Sequence, residues 1–117
     1  MTIYFTKYKL NGEFIHLSKN VESLFGYKPE ELIGQSVYNY FHPEDLSKLS
    51  KAHLKVNFAQ KIATETYRFR HKSGEYFWIK SYSEALTESG EIICINKKLN
   101  FFERIFFRFI NKHLYNI

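Results

Sequence analysis

A chain of 117 residues has room for one domain with a modest core, and 44% hydrophobic with 25% charged residues is the composition of an ordinary globular protein. No apolar run approaches the roughly 18–20 residues that cross a bilayer, the N-terminus lacks the layout of a secretory signal, and a single cysteine excludes an intramolecular disulfide and fits a reducing compartment. The net charge of +5 is uneven: residues 1–96 carry 12 Lys and Arg against 11 Asp and Glu (+1), whereas 97–117 carry 5 basic residues against Glu103 (+4), so the body of the chain has no nucleic-acid footprint. Aromatic residues reach 19%, which suits a thin sheet-on-helix core, a ligand pocket or an interface.

Residues 2–9 are rich in β-formers, Asn11-Gly12 is a hairpin signal, and Phe14-Ile15-His16-Leu17 reads as the returning strand. Asn20 is placed as the N-cap of a short helix through Val21, Leu24 and Phe25, ended by Gly26. Lys28-Pro29-Glu30-Glu31-Leu32 opens a second helix that Gly34 ends, and Ser36 to Phe41 is a third short turn. His42-Pro43-Glu44-Asp45 begins the longest helix before the tail, running to about Gln60, with Leu46, Leu49, His53 and Val56 on one buried stripe. Glu30, Glu31, Glu44 and Asp45 are read as first-turn capping acids, and His42 as a cap.

Three strand signals follow. Glu65 to His71 alternates, Lys72-Ser73-Gly74 turns, Tyr76 to Ile79 opens the next strand, Glu88-Ser89-Gly90 turns again, and Ile92-Ile93-Cys94-Ile95 closes. This order predicts an α+β fold, an antiparallel sheet of five strands with short helices on one face. In the tail, Phe102, Ile105, Phe106, Phe109, Ile110 and His113 follow helical spacing beside Arg104, Arg108 and Lys112, a basic amphipathic helix. Packing on the sheet or against a second copy is favoured over an anionic membrane surface, because an apolar sheet lies closer.

The stretch Gly26-Tyr-Lys-Pro-Glu-Glu-Leu-Ile-Gly-Gln-Ser-Val-Tyr-Asn-Tyr-Phe-His-Pro-Glu-Asp45, within the order of elements over 3–99, resembles a PAS domain. The likeness is greatest to the second PAS repeat (PAS-B) of bHLH-PAS transcription regulators. It is carried by Ser36-x-Tyr38-x-Tyr40-x-His42-Pro43-x-Asp45 with His53, by Tyr67-Arg68-Phe69-x-x-Lys72-x-Gly74-x-Tyr76-x-Trp78-Ile79, and by Ile92-Ile93-Cys94-Ile95-Asn96. The short last loop, Thr87 to Glu91, departs from that group, and no basic helix-loop-helix segment is present.

The resemblance implies a PAS domain over 1–99 followed by a basic amphipathic C-terminal helix over 100–117. It implies a dimerisation and signalling module of a bHLH-PAS-type regulator, non-enzymatic, with space for a small apolar ligand in its core and no cofactor. The expected partner is another PAS-containing protein, as homo- or heterodimer. The expected location is nuclear or cytoplasmic, with no sequence-specific nucleic-acid binding by this chain and no membrane association. The alternative is a cofactor- or metabolite-sensing PAS input domain, supported by the short last loop and the amphipathic extension.

No Ser/His/Asp spacing, Gly-rich phosphate loop or metal-ligand cluster supports catalysis. His53 stands where haem-binding PAS domains place an iron ligand, but a lone His on a helix face is more often a hydrogen-bonded packing residue. A flavin photoreceptor would need a cysteine where Val37 stands, and Cys94 reads as a small buried hydrophobe. The interface candidates are Tyr67, Phe69, Tyr76, Trp78 and Ile79, with the face each presents left open; the pocket candidates are Phe25, Tyr40, Leu49, His53 and Cys94.

Overall fold

A computed structural model describes residues 2–51, 63–86, 89–106 and 109. The elements run β1 (Ile3–Lys9), β2 (Phe14–Leu17), α1 (Val21–Phe25), α2 (Pro29–Leu32), two 3-10 turns (Val37–Asn39 and Pro43–Asp45), β3 (Ala63–Arg70), β4 (Tyr76–Leu86) and β5 (Glu91–Lys98). Helical residues also occupy 46–51 and 101–106. The strands form one antiparallel sheet in the order β2-β1-β5-β4-β3, with the short helical elements on one face.

Alternation decides what the sheet buries. Tyr4, Thr6 and Tyr8 of β1, Ile92, Cys94 and Asn96 of β5, Ile79 and Ser81 of β4, and Tyr67 and Phe69 of β3 all point into the core. Phe14, Leu17, Val21, Phe25, Leu32, Val37, Phe41 and Leu49 close over them from the other layer. Edge-to-face rings run through this core: Phe25 meets Phe69 at 4.9 Å and Phe41 meets Tyr67 at 4.9 Å, an arrangement that adds to burial.

The helical arm between β2 and β3 is laced to both sheet edges. On the β2 edge, Phe14 N donates to Gln35 O, Gly34 N to Phe14 O, and Val37 N to Gly12 O, all at 2.8–2.9 Å. On the β3 edge, His42 N donates to Arg68 O and Arg70 N to Tyr40 O. Gly12 is required where these meet: its φ is +91°, and a Cβ there would lie 2.8 Å from the Tyr38 ring.

Two capping expectations change. Asn20 makes no side-chain cap; its Nδ2 donates to Ile3 O at 2.7 Å, tying α1 to β1. The helix expected from His42 begins as a 3-10 turn, capped by His42 Nδ1 accepting from Glu44 N, and Leu46 is 37% exposed rather than on a buried stripe, while Leu49 is buried. His53 and Val56 lie outside the described residues.

Candidate functional site

Of the pocket candidates among the described residues, Phe25 borders the core cavity and Tyr40, Leu49 and Cys94 do not; His53 lies outside the described residues. That cavity holds about 10 Å³ and is lined by Tyr4, Thr6, Tyr67 and Asn96 among others. It has room for one water and none for an apolar ligand unless side chains move. Tyr40 stacks on Phe69 at 5.7 Å, and Leu49 packs in the helical layer. Cys94 shares hydrogen bonds with the Tyr8 hydroxyl (2.8 Å) and the Ser83 hydroxyl (3.0 Å), and burial pushes its thiol pKa up. Beside it, Ser81 Oγ shares a bond with the Tyr67 hydroxyl (2.6 Å) and donates to Asn96 Oδ1 (2.5 Å), while Asn96 Nδ2 donates to Thr6 Oγ1 (3.0 Å). Among the described residues, no group of three His, Cys, Asp or Glu side chains is placed to hold a metal.

Asp45 is not a simple capping acid. It is buried, and its carboxylate accepts from Arg68 N (2.8 Å), Nε (3.1 Å) and Nη2 (2.9 Å), while exposed Glu44 adds a contact to Nη2. Burial alone would raise the Asp45 pKa, but the bonds from Arg68 outweigh it and hold the carboxyl below its ordinary value. The edge N–H of β3 is thereby occupied, and Arg68 is left across the Trp78 ring at 5.0 Å. Sequence reading missed this pair because its members stand 23 positions apart.

The interface candidates divide between the two faces of the sheet. Tyr67, Phe69 and Ile79 are 5%, 4% and 0% exposed, so they belong to the helix-covered core and not to a docking surface. Register explains it: Tyr67 pairs with Ile79 and Phe69 with Phe77 on the inner face, while Arg68 pairs with Trp78 and Arg70 with Tyr76 on the outer. Only Tyr76 and Trp78 of that set stay half-buried on the outer side.

The outer face also carries exposed apolar residues on β1 and β5. Phe5, Ile95 and Tyr82 stand directly across from one another on β1, β5 and β4, at 48%, 47% and 47% exposure. Ile3 and Ile93 flank this row. The alternation of 3–8 against 92–96 held the signal, since Tyr4, Thr6 and Tyr8 are buried while Ile3 and Phe5 are not.

The tail does not cover this face in the described residues. Phe101, Phe102, Ile105, Phe106 and Phe109 are all exposed in the single chain. Helix 101–106 instead forms one wall of a groove of about 420 Å³ with Tyr76, Phe77, Trp78, Leu99 and Arg104. Lys98 lines its inner end: Lys98 Nζ lies 3.9 Å from the Phe77 ring centre, donates to Leu24 O at 2.8 Å, and has its pKa lowered by burial. No described helix is long and apolar enough to cross a membrane.

A protein-family model described as the PAS fold matches residues 14–98. Curated relatives include basic helix-loop-helix ARNT-like protein 2 of Mus musculus, 38% identical over 79 residues, which are 67% of this chain and 14% of that protein. Hypoxia-inducible factor 1-alpha of Gallus gallus is 29% identical over 102 residues, 83% of this chain and 13% of that protein. The chain thus spans about one-seventh of the length of these relatives. Among solved structures, wild-type Drosophila melanogaster Cycle PAS-B with bound ethylene glycol is similar at TM-score 0.76 and 26% identity, covering 82% of this chain and 99% of that one.

Proposed function

This chain belongs to the PAS family, and we propose that it acts as the protein-interaction and dimerisation module of a bHLH-PAS-type transcription regulator. In this reading residues 1–99 are the PAS unit and 100–117 an appended basic helix; the partner is another PAS-containing protein, and the location is nuclear or cytoplasmic. The observation that carries it is the exposed Phe5–Ile95–Tyr82 row on the sheet face opposite the helices. A contiguous exposed apolar patch marks an interaction surface far more often than a scattered one. The relatives, among them the ARNT-like protein and Cycle PAS-B, point to the same class of regulator. The small core cavity gives the sensing alternative less support than the outer face gives docking.

The test is sedimentation of the purified chain alone and with the PAS-B domain of an ARNT-like protein. Association is expected, and Phe5→Asp with Tyr82→Asp is expected to weaken it at least tenfold while the melting temperature moves by only a few degrees, as for exposed positions. A chain that stays monomeric with both partners, or an association indifferent to these changes, would overturn the reading.

A further inference from the structure

The helix that follows β5 is held at a fixed rotation by its first turn. Asn100 and Glu103 cap it reciprocally: Glu103 N donates to Asn100 Oδ1 at 2.8 Å, and Asn100 N donates to Glu103 Oε1 at 3.3 Å. Arg104 N donates to Asn100 O at 3.0 Å, and the Glu103 carboxylate also reaches Lys97 of β5. Phe101 and Arg104 border the groove against Tyr76, Phe77 and Trp78, so the side of the helix bearing residues 101, 103 and 104 faces the domain. At about 100° per residue, Phe102, Ile105, Phe106 and Phe109 fall within one arc of about 100° on roughly the opposite side. Phe102 is 80% exposed, and Ile105, Phe106 and Phe109 are 47%, 59% and 57% exposed. An amphipathic helix of a globular domain ordinarily turns its apolar stripe inward; this one presents it to solvent.

We infer that this stripe docks on an anionic lipid surface, with the helix lying in the plane of the headgroups. Charge selects that occupant. Glu103 is the single acid of residues 97–117 and is taken up by Lys97, while Lys98 is engaged with Leu24 O and the Phe77 ring. Arg104, Arg108 and Lys112 recur every four residues in the sequence, and no acid occurs from 104 to 117. A second copy's tail would bring the same basic residues to the contact with no carboxylate to meet them. Phosphatidylserine headgroups supply the missing negative charge, and the acyl boundary beneath them receives the phenylalanines, the combination that an interfacial helix requires. The stripe is far shorter than the roughly 20 apolar residues of a span, so it lies on the surface and not across it. This surface is separate from the Phe5–Ile95–Tyr82 row, and the inference goes beyond the docking role proposed above.

The test is sedimentation of the full chain with vesicles of phosphatidylcholine alone and with vesicles of equal parts phosphatidylcholine and phosphatidylserine. Binding to the anionic vesicles is expected to be at least tenfold tighter and to weaken as salt rises. Phe102→Asp with Ile105→Asp is expected to lower that affinity at least tenfold; both side chains are exposed, and circular dichroism checks that the variant is folded. Arg104→Gln with Arg108→Gln is expected to remove about fivefold per side chain from the affinity for anionic vesicles and to leave binding to neutral ones unchanged. Phe5→Asp, on the sheet face proposed for PAS partners, is expected to leave vesicle binding as it is. Equal binding to the two kinds of vesicle, binding indifferent to the paired tail changes, or a loss on Phe5→Asp as large as that on Phe102→Asp with Ile105→Asp would each overturn the inference. So would a chain that ignores vesicles and self-associates without lipid in a manner that Phe102→Asp with Ile105→Asp abolishes, for the occupant would then be a second copy.

Discussion

Replacing Asp45 by Asn tests the least visible contact of the fold. Asn keeps the shape and one oxygen able to accept from Arg68 N, but it removes the charge opposite the guanidinium. Deleting one partner of a buried ion pair costs about 3–5 kcal/mol. The Arg68 side chain is 22% exposed, so water takes up part of the stranded charge, and the retained acceptor offsets more; a loss of about 2–3 kcal/mol follows. For a domain near 100 residues that is a fall in Tm of roughly 10–25 °C.

The pH dependence supplies the sharper check. The folded pKa of Asp45 is lowered, so the pair's contribution is fully present above the unfolded value near 4 and disappears as pH falls through the lower folded value. The difference between urea melts of the two proteins, followed from about pH 7 to about pH 2.5, should therefore narrow toward the acid end, as the wild-type carboxyl begins to take up its proton. A difference under about 0.5 kcal/mol at neutral pH, or one that stays constant to the acid limit, would refute the pair's role.

Three further outcomes are expected. Gly12→Ala combines a positive φ of +91° with a Cβ 2.8 Å from the Tyr38 ring, and a loss of about 1–3 kcal/mol in a thermal melt is expected; a neutral result would mean the hairpin and the 34–38 arm move apart freely. Tyr4→Phe removes a buried hydroxyl with no hydrogen-bond partner among the described residues, so stability is expected to hold or rise, and a loss above about 1 kcal/mol would show that the hydroxyl is bonded, by a water in the adjoining cavity. Cys94, with its pKa raised by burial, is expected to react with a thiol reagent only at the rate of unfolding; rapid labelling of the folded chain would contradict its placement between Tyr8 and Ser83.

The order of elements was legible because each carries a local signal. Asn11-Gly12, Gly26, Gly34 and Gly74 punctuate the chain at turns with positive φ, and Pro29 and Pro43 open helical turns. What stayed hidden was the facing of β3 and β4. Tyr76, Phe77, Trp78 and Ile79 are all apolar, so alternation alone cannot say which pair meets the helices. Register against β3 and β5 decides it, and register is a long-range property. The Asp45–Arg68 pair was hidden for the same reason, and so was the outer row, whose three members come from three strands.

The same lacing that positions the core also limits how a partner can bind. Along β3, Lys48 Nζ donates to Thr66 O, Arg68 N donates to Asp45, Arg68 O accepts from His42 N, Arg70 N donates to Tyr40 O, and the Tyr27 hydroxyl donates to Arg70 O. At the other edge, Phe14 has both backbone groups engaged with residues 34 and 35. A partner adding a strand at those positions would first have to break bonds already made, so edge pairing is disfavoured there. The inner face is closed by the helical layer. That leaves the side chains of the outer face, with Phe5, Ile95 and Tyr82 exposed in one row, as the apolar surface of the described sheet that no backbone pairing or helix covers.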